Sequence, residues 1–593
     1  MSTAGHVAGA VLRFLFSAVR FAVTLAWHER MAALAAAAFL VAAVVFYRRT
    51  LSRTAQSRRR VRALRWRARL RLRPGPGYAS LPELWLRWGR LAALHHGRRM
   101  RPGMGFRARL FSRATGYAVR LGRAQYFRRV FARGEDQTLI LAPQRTGKSG
   151  IIADRLLDHP GPAIVTSTRA DLYQLTAGAR SYRGPLYVWN PQHVGGLPST
   201  FGFDLLGPCR DLVMARRMAG WLTGAIASEN ASHGNLEWFE KKGDAATMAL
   251  LYAAATGGYT ITDVYRWVQL DGHENALRVL AAQPGTELLL ALVRRMFAEN
   301  KTAGSVRETI DLSLSWAVIP GLADAVTPRP GEGFDLEEFI ARNGTLYLIA
   351  SGDEDSPVAP LFRAFTSWVH WAAGQAGSTG PAGKLDPPLW LGLDEVTTIC
   401  PVDLPAMLSD SAGKGVLITA VAHGTSQLEE RWGPAGAKTV WACCGTKIIL
   451  GGSSDAGTLE DISQLCGTTV IGEDDGKTVR VVPPELVRAL PDWRALVLRM
   501  NLSPVIVKFR PAWKRPGHRF GRRAPVCIPR RQEAWTLERE PAPAELAPAF
   551  SEADLARFLD QDTPPPGPAP DPAAFPAPDW PAPPTFRPQK PSS

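Results

Sequence analysis

The sequence predicts an α/β protein built around a parallel sheet. Between Thr138 and about Arg510, short apolar runs alternate with segments whose apolar residues recur at helical spacing. The runs are continuous and bounded by Gly and Pro, which is typical of strands buried on both faces. Alternation of such strands with helices is the pattern of α/β folds. The runs are TLILA, PAIVTST, PLYVW, GTLYLIA, PLWLGLDEV, GVLITAVAH, TKIILGG, RALVLRM and PVIVKF.

The composition supports a large core and a polyanionic partner. The chain has 593 residues, 46% of them hydrophobic, which is enough for several domains. Its net charge of +18 favours binding to nucleic acid or an anionic membrane face, although an arginine-rich genome would also raise the charge. The cysteines form no C-x-x-C pair, which argues against a zinc ribbon or disulfide framework and for core residues in a reducing compartment. They are Cys209, Cys400, Cys443, Cys444, Cys466 and Cys527.

Residues 1–50 are predicted to anchor the chain in the plasma membrane. Residues 31–47 carry no charge, and a helix of that length spans about 25 Å, the lower limit for crossing a bilayer. The arginines from Arg48 to Arg73 follow without an acidic residue, so residues 51–135 are interpreted as a cytoplasmic, basic juxtamembrane region. Residues 7–27 are either an interfacial helix or a second span. The main body, which follows one or two transmembrane helices, is therefore expected in the cytoplasm.

The remaining chain divides by composition. Residues 136–208 and 324–525 carry the strand signal and form the predicted sheet domain. Residues 209–323 have only helical spacing, which predicts an inserted all-α domain. Residues 526–593 are rich in Pro and Ala and are expected to be disordered. Within this tail, SEADLARFLDQ (551–561) is either a helix that docks on a partner or a short helix without a role.

A phosphate-binding loop is predicted after the first apolar run. Phosphates need backbone N–H groups, a lysine, a hydroxyl for Mg²⁺ and the positive end of a helix. Gly147-Lys148-Ser149 supplies three of these, and it stands between a predicted strand and a predicted helix. Ala142 replaces the first glycine of G-x-x-x-x-G-K-[ST], at little cost if its φ is negative. The candidate residues are Ala142, Pro143, Gln144, Arg145, Thr146, Gly147, Lys148, Ser149 and Gly150.

The second half of the site is predicted where PLWLGLDEV ends in Asp394-Glu395. One acid can hold Mg²⁺ while its neighbour polarises the attacking water. Adjacent strand residues point to opposite faces, so both carboxylates reach one site only at the C-terminal end of the strand. The pattern predicts an ATP and Mg²⁺ site where Lys148 and Asp394 meet at neighbouring strand tips.

Seven motifs follow one another between about Gly134 and Pro511. They are APQRTGKS, AIVTSTRADLY, YVWNPQ, LYLIASGDED, LWLGLDEV, LSDSAGKGVLITAVAHGTSQLEERWG and GTKIILGGSSDAGTLEDISQLCG. In this order they resemble the coupling proteins of type IV secretion. This is the TraG/TraD class of conjugation ATPases, here in an actinobacterial form with a TraM recognition domain.

This resemblance implies a RecA-like P-loop motor, a homo-hexamer whose all-α insertion recruits relaxase and relaxosome proteins. It also implies that the protein binds DNA without sequence preference and delivers it to secretion channel proteins. Single-stranded DNA is the expected substrate, and double-stranded DNA remains an alternative. By carry-over, Lys148 contacts the phosphates and Ser149 and Asp394 hold Mg²⁺. Glu395 activates water.

Three departures from the family pattern bear on the rate of hydrolysis. Ala142 replaces glycine, and His423 stands where the family usually carries a γ-phosphate-sensing Gln. Gln427 matches the second glutamine of that motif, so His423 and Gln427 are the sensor candidates. An interface arginine is replaced by Ala412, and the nearby Lys414 is not assigned its role. Slow or partner-stimulated hydrolysis is the resulting hypothesis, since a trans-acting arginine is worth about 10³–10⁵ in rate.

Two alternatives remain open from the sequence. One is an FtsK/HerA-type DNA translocase working within the cell, which would favour a sequence-reading module in place of the Pro-rich tail. The other is a membrane scaffold of the secretion apparatus whose loop no longer catalyses. ATP binding separates the scaffold from both motors.

Overall fold

The structure is a computed structural model that describes residues 75–515 except 126–127, 225–233, 271, 299–300, 353–355 and 472–476, together with isolated positions near the N-terminus. The predicted membrane segments, apart from those isolated positions, the arginine run before residue 75 and the tail 526–593 lie outside the described residues. No helix within the described part is long and apolar enough to cross a bilayer.

Eleven strands form one sheet, and two further strands pair apart from it. The strands are β1 (Ala118–Arg123), β2 (Arg129–Arg133), β3 (Thr138–Leu141), β4 (Ala163–Ser167), β5 (Leu186–Trp189), β6 (Thr345–Ile349), β7 (Leu389–Leu393), β8 (Val416–Ala422), β9 (Thr446–Leu450), β10 (Thr468–Ile471), β11 (Lys477–Arg480), β12 (Arg494–Arg499) and β13 (Leu502–Lys508). The order in the large sheet is β2-β1-β13-β12-β9-β3-β8-β7-β4-β6-β5.

The sheet is parallel from β9 to β5 and antiparallel from β2 to β9. The predicted α/β class is confirmed. The expectation of parallel pairing is wrong for the last two apolar runs, β12 and β13. Only Met500 and Asn501 separate these strands, and so short a connection permits only an antiparallel hairpin.

Helices cover both faces of the sheet and fill the segment between β5 and β6. They are α1 (Leu81–Leu86), α2 (Arg90–Met100), α3 (Phe106–Phe111), α4 (Lys148–Asp158), α5 (Asp171–Arg180), α6 (Leu212–Thr223), α7 (Gly234–Gly257), α8 (Ile261–Gln269), α9 (Glu274–Ala281), α10 (Glu287–Met296), α11 (Lys301–Leu314), α12 (Pro320–Ala325), α13 (Leu336–Ala341), α14 (Ala359–Ser378), α15 (Leu404–Lys414), α16 (Thr425–Cys443), α17 (Ala456–Leu465) and α18 (Pro484–Arg488).

The central strand β3 has apolar cores on both sides. Leu139 and Leu141 belong to the core on one face, and Ile140 and Ala142 to the core on the other. This alternation follows from the two-residue repeat of a strand. A strand buried on both faces gives the phosphate loop that follows it a rigid base.

The segment from α6 to α12 is helical throughout its described residues. Helix α8 begins with a capping box in which Thr260 and Asp263 satisfy each other's backbone N–H groups. Trp267 on α8 and Leu250 on α7 are buried in the same apolar core as Leu139 of β3. The limits of an inserted domain stay a prediction.

A buried ion pair joins β12 to the chain just before β3. Arg499 Nε lies 3.0 Å from Asp136 Oδ2, and both side chains are almost fully buried. Arg499 also donates to the carbonyl oxygen of Phe131 at 3.3 Å. Burial raises the pKa of Asp136, and the charge of Arg499 opposes that rise. The cysteines of the described part are free thiols, and all except Cys443 are buried.

Candidate nucleotide-binding site

The chain leaves β3 in a tight loop that ends at the first residue of α4. Gly147 caps the helix with φ 96° and ψ 21°, a left-handed conformation that suits glycine. Arg145 also has positive φ, at 62°. The Thr146 hydroxyl donates to the Pro143 carbonyl at 2.6 Å and closes the turn. Lys148 and Ser149 therefore stand in the first turn of α4, where free N–H groups and the helix dipole favour an anion.

Ala142 is accommodated without strain. It is fully buried, and its φ is not in the positive region. Its N–H donates to the Ala422 carbonyl at 3.0 Å, which continues the ladder between β3 and β8. The missing glycine of the motif therefore has an ordinary strand-end conformation that alanine adopts equally well.

Both members of the acidic pair reach the loop. Asp394 follows the last residue of β7, and Glu395 has φ 52°, which turns the chain so that the two carboxylates no longer point to opposite faces. Lys148 Nζ lies 2.5 Å from Glu395 Oε1 and 3.9 Å from Asp394 Oδ1. Ser149 Oγ donates to Asp394 Oδ2 at 3.0 Å. The structure thus brings Lys148, Ser149, Asp394 and Glu395 together.

Asp394 carries an unsatisfied acceptor aimed at this cluster. The residue is 4% exposed, and its Oδ1 has no hydrogen-bond partner. Burial raises the pKa of the Asp394 carboxyl, while Lys148 and the Ser149 hydrogen bond oppose that rise. A buried oxygen in this state fits a divalent cation that needs an anionic ligand.

Within the described residues, no group of three or more His, Cys, Asp or Glu side chains could hold a metal by itself. A magnesium ion at this site would therefore depend on phosphate oxygens and water beside Ser149 and Asp394. That mixed ligand set is the usual one for Mg²⁺.

Strand β8 lies between β3 and β7, so the phosphate loop and the acids are one strand apart rather than on neighbouring strands. His423 follows β8 and occupies the gap. Its Nδ1 donates to the Ala142 carbonyl at 3.1 Å. Gln427 Oε1 accepts from the His423 backbone N–H at 3.0 Å. The structure thus places His423 beside the loop, with Gln427 supporting it from the start of α16.

Ala412 and Lys414 lie at the other end of the same strand. Both belong to the last turn of α15, immediately before β8 begins at Val416. Since β8 has 7 residues, about 20 Å separates them from His423. Lys414 pairs with Asp410 on its own helix. Neither residue takes part in the site of its own chain.

Three residues near the site were not singled out from the sequence. Thr166 at the end of β4 donates to the Asp394 carbonyl at 2.8 Å and fixes the turn after β7. A polar residue near the end of an apolar run could have signalled this contact. Trp493 and Trp513 lie against the phosphate loop, and no spacing rule connects them to it.

Comparison with known proteins gives two findings. Residues 388–485 match the family model TraG-D_C, described as the TraM recognition site of TraD and TraG. The plasmid coupling protein TrwB with the GTP analogue GDPNP has a TM-score of 0.50 and 20% identity, over 64% of this chain and 88% of that chain. The resemblance to the coupling proteins is confirmed.

Another structure of that coupling protein, the unbound monoclinic form of TrwBdeltaN70, also has a TM-score of 0.50 and 20% identity, over 63% of this chain and 84% of that chain. At this identity the likeness establishes a shared fold. No curated protein sequence matches the chain. The coupling-protein match covers β7, β8 and the acids, so it includes one half of the candidate site.

Proposed function

We propose that the chain is a membrane-anchored ATPase that couples DNA substrates, carried by a relaxase, to a type IV secretion channel. The observation that carries the proposal is the meeting of Lys148 and Ser149 with Asp394 and Glu395 at one edge of a coupling-protein fold. A chain that served only as a scaffold would have no need to keep these four groups within contact of one another.

Each residue has a role that follows from its position. Lys148 would leave Glu395 and bind the outer phosphates. The backbone N–H groups at the N-terminus of α4 would donate hydrogen bonds to the same phosphates. Ser149 and Asp394 would hold Mg²⁺, which when bound neutralises charge on the phosphate oxygens. Glu395, freed from Lys148, would orient and polarise the attacking water. His423, which lies between the phosphate loop and the acids, would contact the γ-phosphate and sense its presence.

The partners follow from the matched segment. A TraM recognition site within residues 388–485 supports a relaxosome protein as partner of this part of the chain. The net charge of +18 supports DNA bound through its phosphates without sequence preference. Assembly into a hexamer and delivery to channel proteins belong to the same proposal, and the shared fold supports them.

Membrane anchoring is supported by the residues that follow the predicted span. Between residues 75 and 134 the sequence has 13 arginines and, as its only acid, Glu83. Helices α1 to α3 also expose Leu86, Leu91, Phe106 and Phe111. Exposed apolar side chains among arginines are typical of a surface that lies against anionic headgroups.

Turnover of the full chain in detergent tests the proposal. Slow basal hydrolysis that rises at least about tenfold with single-stranded DNA is expected, and Lys148→Ala should abolish both rates. Fast hydrolysis without DNA contradicts the hypothesis of partner stimulation. Absence of ATP binding would favour the scaffold, and DNA movement that needs no relaxase would favour an intracellular translocase.

A further inference from the structure

Two tryptophans reach the phosphate loop from the antiparallel part of the sheet. Trp493 directly precedes β12, and Trp513 follows β13 in a single helical turn (Ala512–Lys514). Ala495 on β12 pairs with Leu450, the last residue of β9. The start of β12 and the end of β13 therefore lie at the edge where the parallel strands β9 and β3 end.

Both indoles lie beside glycines at the end of the loop and the start of α4. A Cβ on Gly150 would lie 2.8 Å from Trp493 Cη2 and 3.4 Å from Trp513 Cζ3. A Cβ on Gly147 would lie 3.0 Å from Trp493 Cη2. The two glycines that flank Lys148-Ser149 thus leave room for the rings, and a side chain at Gly150 would collide with one of them.

The two indoles form a close, perpendicular pair. The ring centroids are 5.0 Å apart at an interplanar angle of 88°, so each ring presents its face in a different direction. Trp493 has φ 62°, a conformation that is rare for a bulky residue and is concentrated at functional sites. Trp513 is 47% exposed, which leaves part of its ring free to contact a ligand.

The position of the pair relative to the acids indicates which end of a nucleotide it meets. In the sheet order, β8 and β7 with the acids lie on one side of β3, and β9 and β12 with Trp493 lie on the other. The outer phosphates lie between Lys148 and the acids in the proposed function. The nucleoside end therefore leaves the loop on the side of β12.

We infer that Trp513 binds the base of the nucleoside triphosphate by stacking, and that Trp493 positions it against the loop. This inference rests on the proposed nucleotide site and adds a base subsite to it. Stacking on an indole tolerates any base, because every base has a π face. The subsite should therefore accept ATP and GTP with affinities within about tenfold of each other.

Calorimetric titration of the full chain in detergent with Mg²⁺ tests the subsite, using ATP and inorganic tripolyphosphate as ligands. Trp513→Ala should weaken ATP binding about 5- to 150-fold, the range measured for loss of one base–aromatic stack. Its affinity for tripolyphosphate, which has no base, should stay within about twofold of wild type. Trp513→Phe should keep most of the ATP affinity. As a control, Trp85→Ala removes a tryptophan that is 48% exposed, and it should leave the affinities for both ligands unchanged.

Two results would overturn the base subsite while leaving the nucleotide site intact. One is an unchanged ATP affinity in Trp513→Ala. The other is an equal loss of affinity for ATP and for tripolyphosphate, which would show that the indole supports the loop and does not bind the base. Lys148→Ala should lose both ligands. A wild-type chain that binds neither ligand would remove the proposed function together with the subsite.

Discussion

Replacement of Glu395 by glutamine should separate ATP binding from ATP hydrolysis. In the structure the Glu395 carboxylate holds Lys148 at 2.5 Å, and the two side chains are 24% and 12% exposed. In the proposed site, a triphosphate would have to displace that carboxylate before it could bind the lysine. Glu395→Gln keeps the size and the hydrogen-bonding oxygen and removes the charge that competes with the phosphates.

The magnitude follows from the geometry of the pair. The charge of the carboxylate is shared by two oxygens, so the centres of charge lie farther apart than the closest atoms. At about 4 Å they attract by about 4 kcal/mol at an effective dielectric constant of 20, and a neutral hydrogen bond to the lysine restores about 1 kcal/mol. Partial exposure and salt reduce the difference further. A gain of about 1.4–2.8 kcal/mol in ATP binding remains, which is about ten- to a hundredfold in Kd. Hydrolysis should fall about 10²–10⁴-fold, because the group that we propose to polarise water is lost.

The assay is equilibrium binding of labelled ATP beside single-turnover hydrolysis, on wild type and Glu395→Gln. Glu485→Gln serves as a matched control because Glu485 lies on α18, outside the acidic pair, and should change neither quantity. Weaker ATP binding in Glu395→Gln would refute competition between the carboxylate and the phosphates. Retained hydrolysis would refute the assignment of Glu395 to water.

Three further changes test other parts of the structure. Ala142→Gly should alter ATP affinity by less than about twofold, since φ is already unstrained, and titration of the variant measures this. Arg499→Met should lower the free energy of unfolding by about 3–5 kcal/mol because it leaves Asp136 buried and unpaired, and adding Asp136→Asn should recover part of that loss in thermal unfolding. Burial, with Lys414 nearby, lowers the pKa of His370 to about 4. Below about pH 6.5 the unfolded chain therefore binds a proton at this histidine, whereas the folded chain does not. Unfolding experiments should show the free energy of unfolding falling by up to about 3 kcal/mol between pH 6.5 and 4. His370→Gln should remove this contribution to the pH dependence.

The sequence predicts the parallel part of the fold because its signals are local. A continuous apolar run such as TLIL needs burial on both faces, and a glycine-bounded loop with Lys148 needs a strand before and a helix after. The pairing of Lys148 with Asp394 could be predicted as well, since the tips of parallel strands meet at one edge. The position of β8 between β3 and β7 could not be predicted, because the order of strands in a sheet depends on long-range packing.

The antiparallel half of the sheet shows where local signals are insufficient. The runs of β12 and β13 are as apolar as those of the parallel strands, and only the short link at Met500 distinguishes them. The contact of Trp493 with Gly150 joins residues far apart in sequence and depends on that hairpin. The anchor before residue 75 and the tail after residue 525 stay predictions.

The most direct measurement of the central claim is equilibrium binding of labelled ATP to the full chain, with and without Mg²⁺, in wild type, Lys148→Ala and Asp394→Asn. The account predicts binding that Mg²⁺ strengthens in wild type, a loss of at least about a hundredfold in Lys148→Ala, and binding indifferent to Mg²⁺ in Asp394→Asn. Equal affinity in all three proteins, or the same response to Mg²⁺ in each, would contradict it.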